Sequence, residues 1–152
     1  MTLAAIQHRT LSVHGGGNQW RPLIHVQDAA HAIRLVMEAP APTVSGRIFN
    51  VGDERNNLRV SEIAQTVASL IAGTEVVTLP EASDPRNYRC NFDRVRDELS
   101  FRAELTPAFA VAEIADALAS GDVDTGIRTR TVDFYRQLLD SGAGSNPGDR
   151  SL

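Results

Sequence analysis

The 152-residue chain contains no lysine; all fifteen of its basic residues are arginine. Codon bias in a GC-rich genome is a sufficient cause, but the chemical consequence stands regardless. No side chain here can act as an amine base, form a Schiff base or hold a phosphate through an ammonium group. The single cysteine, Cys90, excludes an internal disulfide and any cysteine cluster for a metal. No apolar run approaches the ~18 residues that suggest a membrane span, and residues 1–10 lack the long apolar core of a signal peptide. A soluble cytoplasmic protein is the expectation. A formal charge of −4 argues against a nucleic-acid partner, which would call for a basic face. The length fits one domain of ordinary size.

What is present is organised around residues 15–28, GGGNQWRPLIHVQD. Three glycines can adopt backbone angles that other residues avoid and leave room for a ligand against the main chain. Leu23, Ile24 and Val26 suit a short strand with His25 inside it. Asp28 precedes a run of helix formers, 29–38, and fits the N-cap position. Arg21 falls where the turn ends and the strand begins. Its planar guanidinium could grip a phosphate through two hydrogen bonds; a surface salt bridge of small energetic value is the other reading.

The remaining chain reads as a mixed α/β pattern. A short helix over 2–9 leads to a strand at 11–14. After the helix of 29–38, Pro40 and Pro42 stop the chain from continuing helical. Residues 47–52, RIFNVG, read as a second core strand, so that strand, helix and strand suggest one crossover unit of a parallel sheet. Residues 53–59 are polar and loop-like. The apolar residues of 61–72 recur at helical spacing up to Gly73. A β-rich run follows at 75–78, then a loop over 80–87, an extended stretch at 88–90 and a short helix from Asp93 to Leu99. Thr106 and Pro107 mark a helix start, a capping hydroxyl with proline at the first helical position. That helix is expected to bury Phe109, Ile114 and Leu118. A last helix spans 132–139, and 141–152 reads as a disordered tail after a folded portion of 1–140.

Two motifs carry a resemblance. The first is Leu11-Ser12-Val13-His14-Gly15, running on through Gln19 and Arg21 to Val26 and Asp28. The second is Asp84, Tyr88, Arg89, Asn91, then Glu98-Leu99 and Phe101. Together with the Ile48–Gly52 stretch and the Thr106-Pro107 helix, their order resembles the C-terminal half of the extended short-chain dehydrogenase/reductase superfamily, the NAD-dependent nucleotide-sugar epimerases and dehydratases. The resemblance implies an α/β fold: part of a Rossmann-type protein, with one or two sheet strands and a small, mostly helical substrate-binding subdomain. It also implies that Ser12 contacts a nucleotide base through its main chain. His14 stands at the base-stacking position, where the family usually has Tyr or Phe; a surface histidine at a strand end is the alternative. Arg21 and Arg89 clamp the diphosphate of a nucleoside diphosphate sugar, and Gln19 bonds the ligand or shapes the turn. Asn91 replaces the second Asp of the motif, and Ser100 its helix-stopping glycine.

The family's NAD turn and its Tyr-x-x-x-Lys pair are missing from this sequence. The only glycine cluster precedes a strand, and without lysine neither Tyr88 nor Tyr135 has a cation to lower its pKa. The chain alone is therefore expected to be inactive. It reads as the sugar-nucleotide-binding portion of an enzyme whose absent N-terminal half, in cis or trans, supplies NAD. A free-standing binding module and a truncated remnant with an oligomeric role are the alternatives. Without that half, apolar faces would be exposed and could drive homo-oligomerisation.

Overall fold

The computed structural model describes residues 1–80 and 86–141. Two compact units divide the chain, Met1–Asp116 and the residues from Ala117 onward.

The first unit opens with α1 (Thr2–His8), closed by Arg9 in the left-handed conformation, and leads into β1 (Thr10–His14). A 3-10 turn over Gly15–Gly17 connects to β2 (Trp20–Pro22), and α2 runs over Val26–Glu38. A one-turn helix, α3 (Ala41–Val44), follows. Next come β3 (Asn57–Arg59), α4 (Val60–Leu70), β4 (Glu75–Leu79), α5 (Asp93–Leu99) and α6 (Pro107–Ser120), in which the first unit ends at Asp116. A parallel pair forms between β1 and β4, with Ser12 opposite Val77 and His14 opposite Leu79, and not between the 23–26 and 47–52 strands of the expected crossover unit. A separate antiparallel ribbon joins β2 to β3, with Trp20 opposite Arg59 and Arg21 opposite Leu58.

Two hydrophobic clusters support these sheets. Leu11 and Val13 alternate inward along β1 and meet Ala5 of α1, Ala64 and Val67 of α4, and Val111 of α6. Ala32 of α2 packs with Phe92, Val95, Phe101 and Ala103. Full burial of side chains such as Phe101, Val13, Val67 and Val95 contributes roughly 1.5–3 kcal/mol each.

The second unit contains a 3-10 turn at Ile127–Thr129 and α7 (Thr131–Asp140), whose first turn carries an Arg130–Asp133 ion pair. Val132, Tyr135 and Leu139 of α7 are exposed.

Five expectations require correction. The strand expected at Leu23–Val26 lies earlier, at Trp20–Pro22, because its partner β3 fixes the register; Val26 is the first residue of α2. Asp28 is accordingly not the N-cap, which is His25, but a buried first-turn residue. β3 itself arises from the polar stretch read as a loop. Residues 47–52 form no strand among the described residues. Their β-rich composition lacks a neighbouring strand to pair with: the Ile48 carbonyl accepts from Arg94 instead, and the Ile48 side chain is 78% exposed. Finally, Phe109 and Ile114 of α6 are exposed, Leu118 is half-buried, and Val111 is the residue that enters the core. The expected tail lies, from residue 142 onward, outside the described residues.

Candidate functional site

The site is assembled where the β2–β3 ribbon meets residues 86–90. Asparagine side chains make the junction. The Trp20 N–H, pointing away from β3, donates to Asn87 Oδ1 at 3.0 Å. Asn57 on β3 donates from Nδ2 to the Cys90 carbonyl at 2.9 Å and accepts from the Cys90 N–H at 3.0 Å. A side-chain amide thus pairs with the main chain as a neighbouring strand would. Tyr88 and Arg89 lie between these two anchor points.

Both predicted arginines lie along this junction, against different rings. Arg21 Nη1 donates to the carbonyls of Trp20 and Arg86, each at 2.7 Å, and its guanidinium lies 5.7 Å from the Tyr88 ring centroid. Arg89 lies over the neighbouring ring, 4.6 Å from the Trp20 centroid. Arg59, opposite Trp20 on β3, lies over the same ring at 5.2 Å. The sequence reading singled out neither Trp20 nor Arg59. A tryptophan beside an arginine is a visible signal, but Arg59 joins the site only through strand register.

The other predicted residues lead into this junction along the chain. Ser12 and His14 are exposed on β1, on the face opposite Leu11 and Val13. Gln19 Nε2 donates to the His14 carbonyl at 3.1 Å, which closes the glycine turn, and the Gln19 carbonyl accepts from Val60 N–H. Gln19 Oε1 is buried and accepts no hydrogen bond among the described residues. The glycines serve packing in the turn. A Cβ at Gly17 would come within 2.5 Å of Val13 Cγ1 and 2.9 Å of Ser61 Cβ, and its φ of +70° disfavours other residues.

Charge around the site is largely paired elsewhere. Asp53 is held below the usual carboxylate range, first by its side-chain hydrogen bond from Arg55. Asp93 is likewise lowered, first by Asn91 and then by Arg96. Asp97 pairs with Arg96, and Glu98 with Arg47. These adjacent acids are engaged in ion pairs and do not form a catalytic couple. Among the described residues no group of three His, Cys, Asp or Glu side chains could hold a metal ion. No described helix is long and apolar enough to cross a membrane.

A concavity of about 490 Å³, away from this junction, is bounded by α1, the start of α2, α4 and α6. Its lining is mostly apolar, with His25 and Glu113 at its edge, and it contains none of the predicted site residues. His25 accepts from Gln27 N–H at Nδ1 and meets Glu113 through Nε2 at 2.8 Å. His31 lies against Phe101.

Residues 1–52 match the sequence profile of the NAD dependent epimerase/dehydratase family. Over 67 residues the chain is 31% identical to UDP-D-apiose/UDP-D-xylose synthase of Oryza sativa subsp. japonica, which covers 44% of this chain and 17% of that protein. It matches UDP-D-apiose/UDP-D-xylose synthase 2 of Arabidopsis thaliana at the same identity and coverage. Among solved structures it is similar to a short-chain dehydrogenase/reductase superfamily protein of Agrobacterium tumefaciens with bound NAD. That match has a TM-score of 0.59 and 23% identity, over 84% of this chain and 35% of the other. It is also similar to dTDP-glucose 4,6-dehydratase of Bacillus anthracis in complex with NAD, with a TM-score of 0.57 and 20% identity over 74% and 35%. The chain thus spans a minor part of each relative.

Among the described residues, the glycine cluster does not have the geometry of a dinucleotide-binding turn. Gly15–Gly17 leads into β2 rather than opening a helix, and Gly17 is filled against by Val13 and Ser61. Residues 1–52 thus resemble the NAD dependent epimerase/dehydratase family, and the chain shares the fold of those solved structures.

Proposed function

We propose that this chain is the sugar-nucleotide-binding portion of an NAD-dependent nucleotide-sugar epimerase or dehydratase, with NAD and the tyrosine–lysine pair supplied by an N-terminal portion in cis or trans. The observation that supports this reading is the junction of Trp20 and Arg21 with residues 86–90, along which an arginine from each of two distant segments lies. A diphosphate carries two negative charges that need matching when they leave water, and guanidinium groups match them with directed hydrogen bonds. Arg21 and Arg89 hold the two phosphates. His14, exposed at the end of β1, stacks on the base, and Ser12 contacts it through the main chain. Gln19 bonds the ligand or keeps the turn closed through its Nε2.

The apolar surface left open supports a covering partner. Val26, Ile33 and Met37 form an outward stripe on α2, and Ile48 is exposed on the unpaired segment nearby in sequence. The N-terminal portion covers these residues. In its absence, copies of the chain associate through them. The compartment is the cytoplasm.

Calorimetric titration with UDP and dTDP tests the binding role. Either nucleotide should bind the chain without NAD, and Arg21→Gln and Arg89→Gln should each weaken it about tenfold or more. Absence of binding to both nucleotides, or arginine variants that bind as the parent does, would overturn the reading.

A further inference from the structure

The concavity bounded by α1, the start of α2, α4 and α6 lies wholly within the first unit. Its volume, about 490 Å³, falls within the ~300–1,000 Å³ of small-molecule sites. Val67 of α4 and Val111 of α6 are buried and form its apolar base, while Ile24 and Ile114 are exposed at its sides. Among the described residues of its wall there is no arginine, and Glu113 is the only carboxylate. Glu113 meets His25 there. The His25 side chain is 6% exposed and that of Glu113 44%. His25 Nε2 lies 2.8 Å from Glu113 Oε2, and His25 Nδ1 accepts from the Gln27 N–H at 3.3 Å. An imidazole that accepts at Nδ1 carries its hydrogen on Nε2 and is neutral. The pair therefore keeps the whole negative charge of the carboxylate. Gln27 Nε2, at 3.4 Å from Oε1, adds a dipole and no charge. A partly solvated negative charge thus stands at the edge of an apolar hollow.

We propose that this pocket binds a small apolar amine. A primary ammonium group donates to Glu113 at the rim, and a ring or branched alkyl body lies over Val67 and Val111, between Ile24 and Ile114. The body binds through the apolar area it removes from water. The charge-assisted hydrogen bond to the carboxylate sets the sign of charge that the site accepts. His25 already occupies Oε2, which leaves Oε1 as the open oxygen and suits a compact ammonium better than a two-pronged guanidinium. An anion of the same shape meets Glu113 with like charge. The site is independent of the sugar-nucleotide reading, since its wall includes none of Ser12, His14, Gln19, Arg21 and Arg89.

The experiment titrates the full chain with phenethylamine, phenethyl alcohol and hydrocinnamate, three ligands of similar shape that differ in charge. NMR follows the methyl resonances of Ile24, Val67, Val111 and Ile114. The amine should bind at least about tenfold more tightly than the alcohol, and the acid more weakly than either. Glu113→Gln keeps an acceptor for His25 but loses the charge, and should bring the amine within about twofold of the alcohol. Ala110→Leu, which adds volume inside the wall, should weaken amine and alcohol alike. Asp116→Asn, on the same helix but outside the wall, should change none of the three affinities. Equal binding of the three ligands, an amine preference that survives Glu113→Gln, or the absence of any methyl shift overturns the proposal. Sedimentation of the parent and Ala110→Leu tests the other occupant, a second copy of the chain. A dimer that Ala110→Leu dissociates, with no ligand bound by the parent, makes this face an interface between copies and overturns the amine site. Should Glu113→Gln not fold, salt decides on the parent. Raising it to about 1 M should narrow the gap between amine and alcohol, because a partly exposed carboxylate is screened, and a gap that does not narrow overturns the role of Glu113.

Discussion

Asn57 holds Cys90 by both ends of its peptide group, donating to the carbonyl at 2.9 Å and accepting from the N–H at 3.0 Å. Asn57 is itself buried, so water is a poor substitute for either bond. Asn57→Ala should cost about 1–3 kcal/mol, since two main-chain groups lose their partner. It should also weaken nucleotide binding with every arginine still present, because Arg89 would lose its anchored backbone. Thermal melts and UDP titration on the same variant separate the two effects. Unchanged affinity in a folded Asn57→Ala would show that Arg89 needs no such anchor.

Asp28 ties the first turn of α2 to the approach to α6. Its buried carboxylate accepts from the N–H of Leu105 at 2.9 Å and of Glu104 at 3.2 Å. Asp28→Ala should lower stability by about 2–3 kcal/mol, the scale for hydrogen bonds to a buried charge. Asp28→Asn, which keeps one acceptor, should cost less. Chemical denaturation curves of the two variants check the order.

Asn91 and Asp93 set up an acid-sensitive helix start. Asn91 accepts from the Asp93 N–H at 2.9 Å and donates to Asp93 Oδ2 at 2.6 Å, which lowers the Asp93 carboxyl below its ordinary 3.8. A folded-state pKa below the unfolded one means that the contribution to stability is full above pH ~4 and is lost as pH falls through the depressed value. Asp53, lowered by Arg55, acts in the same direction. Asn91→Asp replaces the donor with a second acid beside Asp93. The acid limb of the pH–stability curve should therefore move to higher pH, and NMR titration should find the Asp93 carboxyl raised. An acid limb that stays in place would contradict this account.

Backbone conformation supplies an opposed pair of expectations. Gly17→Ala should destabilise by about 3 kcal/mol or more, since φ is +70° and the added carbon would collide with Val13 and Ser61. Ser100 closes α5 in the left-handed conformation with φ of 53°. Ser100→Gly should stabilise by about 1 kcal/mol, relieving the penalty of a side chain there. Melting temperatures moving in opposite directions would bear out both.

These residues also show what a linear reading could reach. The Thr106-Pro107 start was legible because capping is local: Thr106 Oγ1 accepts from the Phe109 N–H three residues on. The helices α1, α4 and α5 and the strands β1 and β4 were legible from apolar spacing for the same reason. β3 was not, because Asn57-Leu58-Arg59 is a strand only through its pairing with Trp20–Pro22. The reverse holds for residues 47–52, whose composition favours a strand but whose described surroundings offer no neighbour. At the site, Arg21 and Arg89 stood out as single residues within motifs. Their placement along the junction depends on Asn57 and Asn87, whose amides look like ordinary loop polarity until the register is known. Trp20 and Arg59 escaped for that reason as well.

The cap of α2 has one further consequence. His25 can accept from the Gln27 N–H only while Nδ1 is bare, and it meets Glu113 through Nε2. A single tautomer satisfies both bonds, with the hydrogen on Nε2. The carboxylate of Glu113, some ninety positions downstream, therefore selects which nitrogen is left to start the helix. An alanine at that position, which offers no acceptor, would leave the histidine free to turn its hydrogen inward, and the helix carrying Asp28 would lose its side-chain cap without any change in its own sequence.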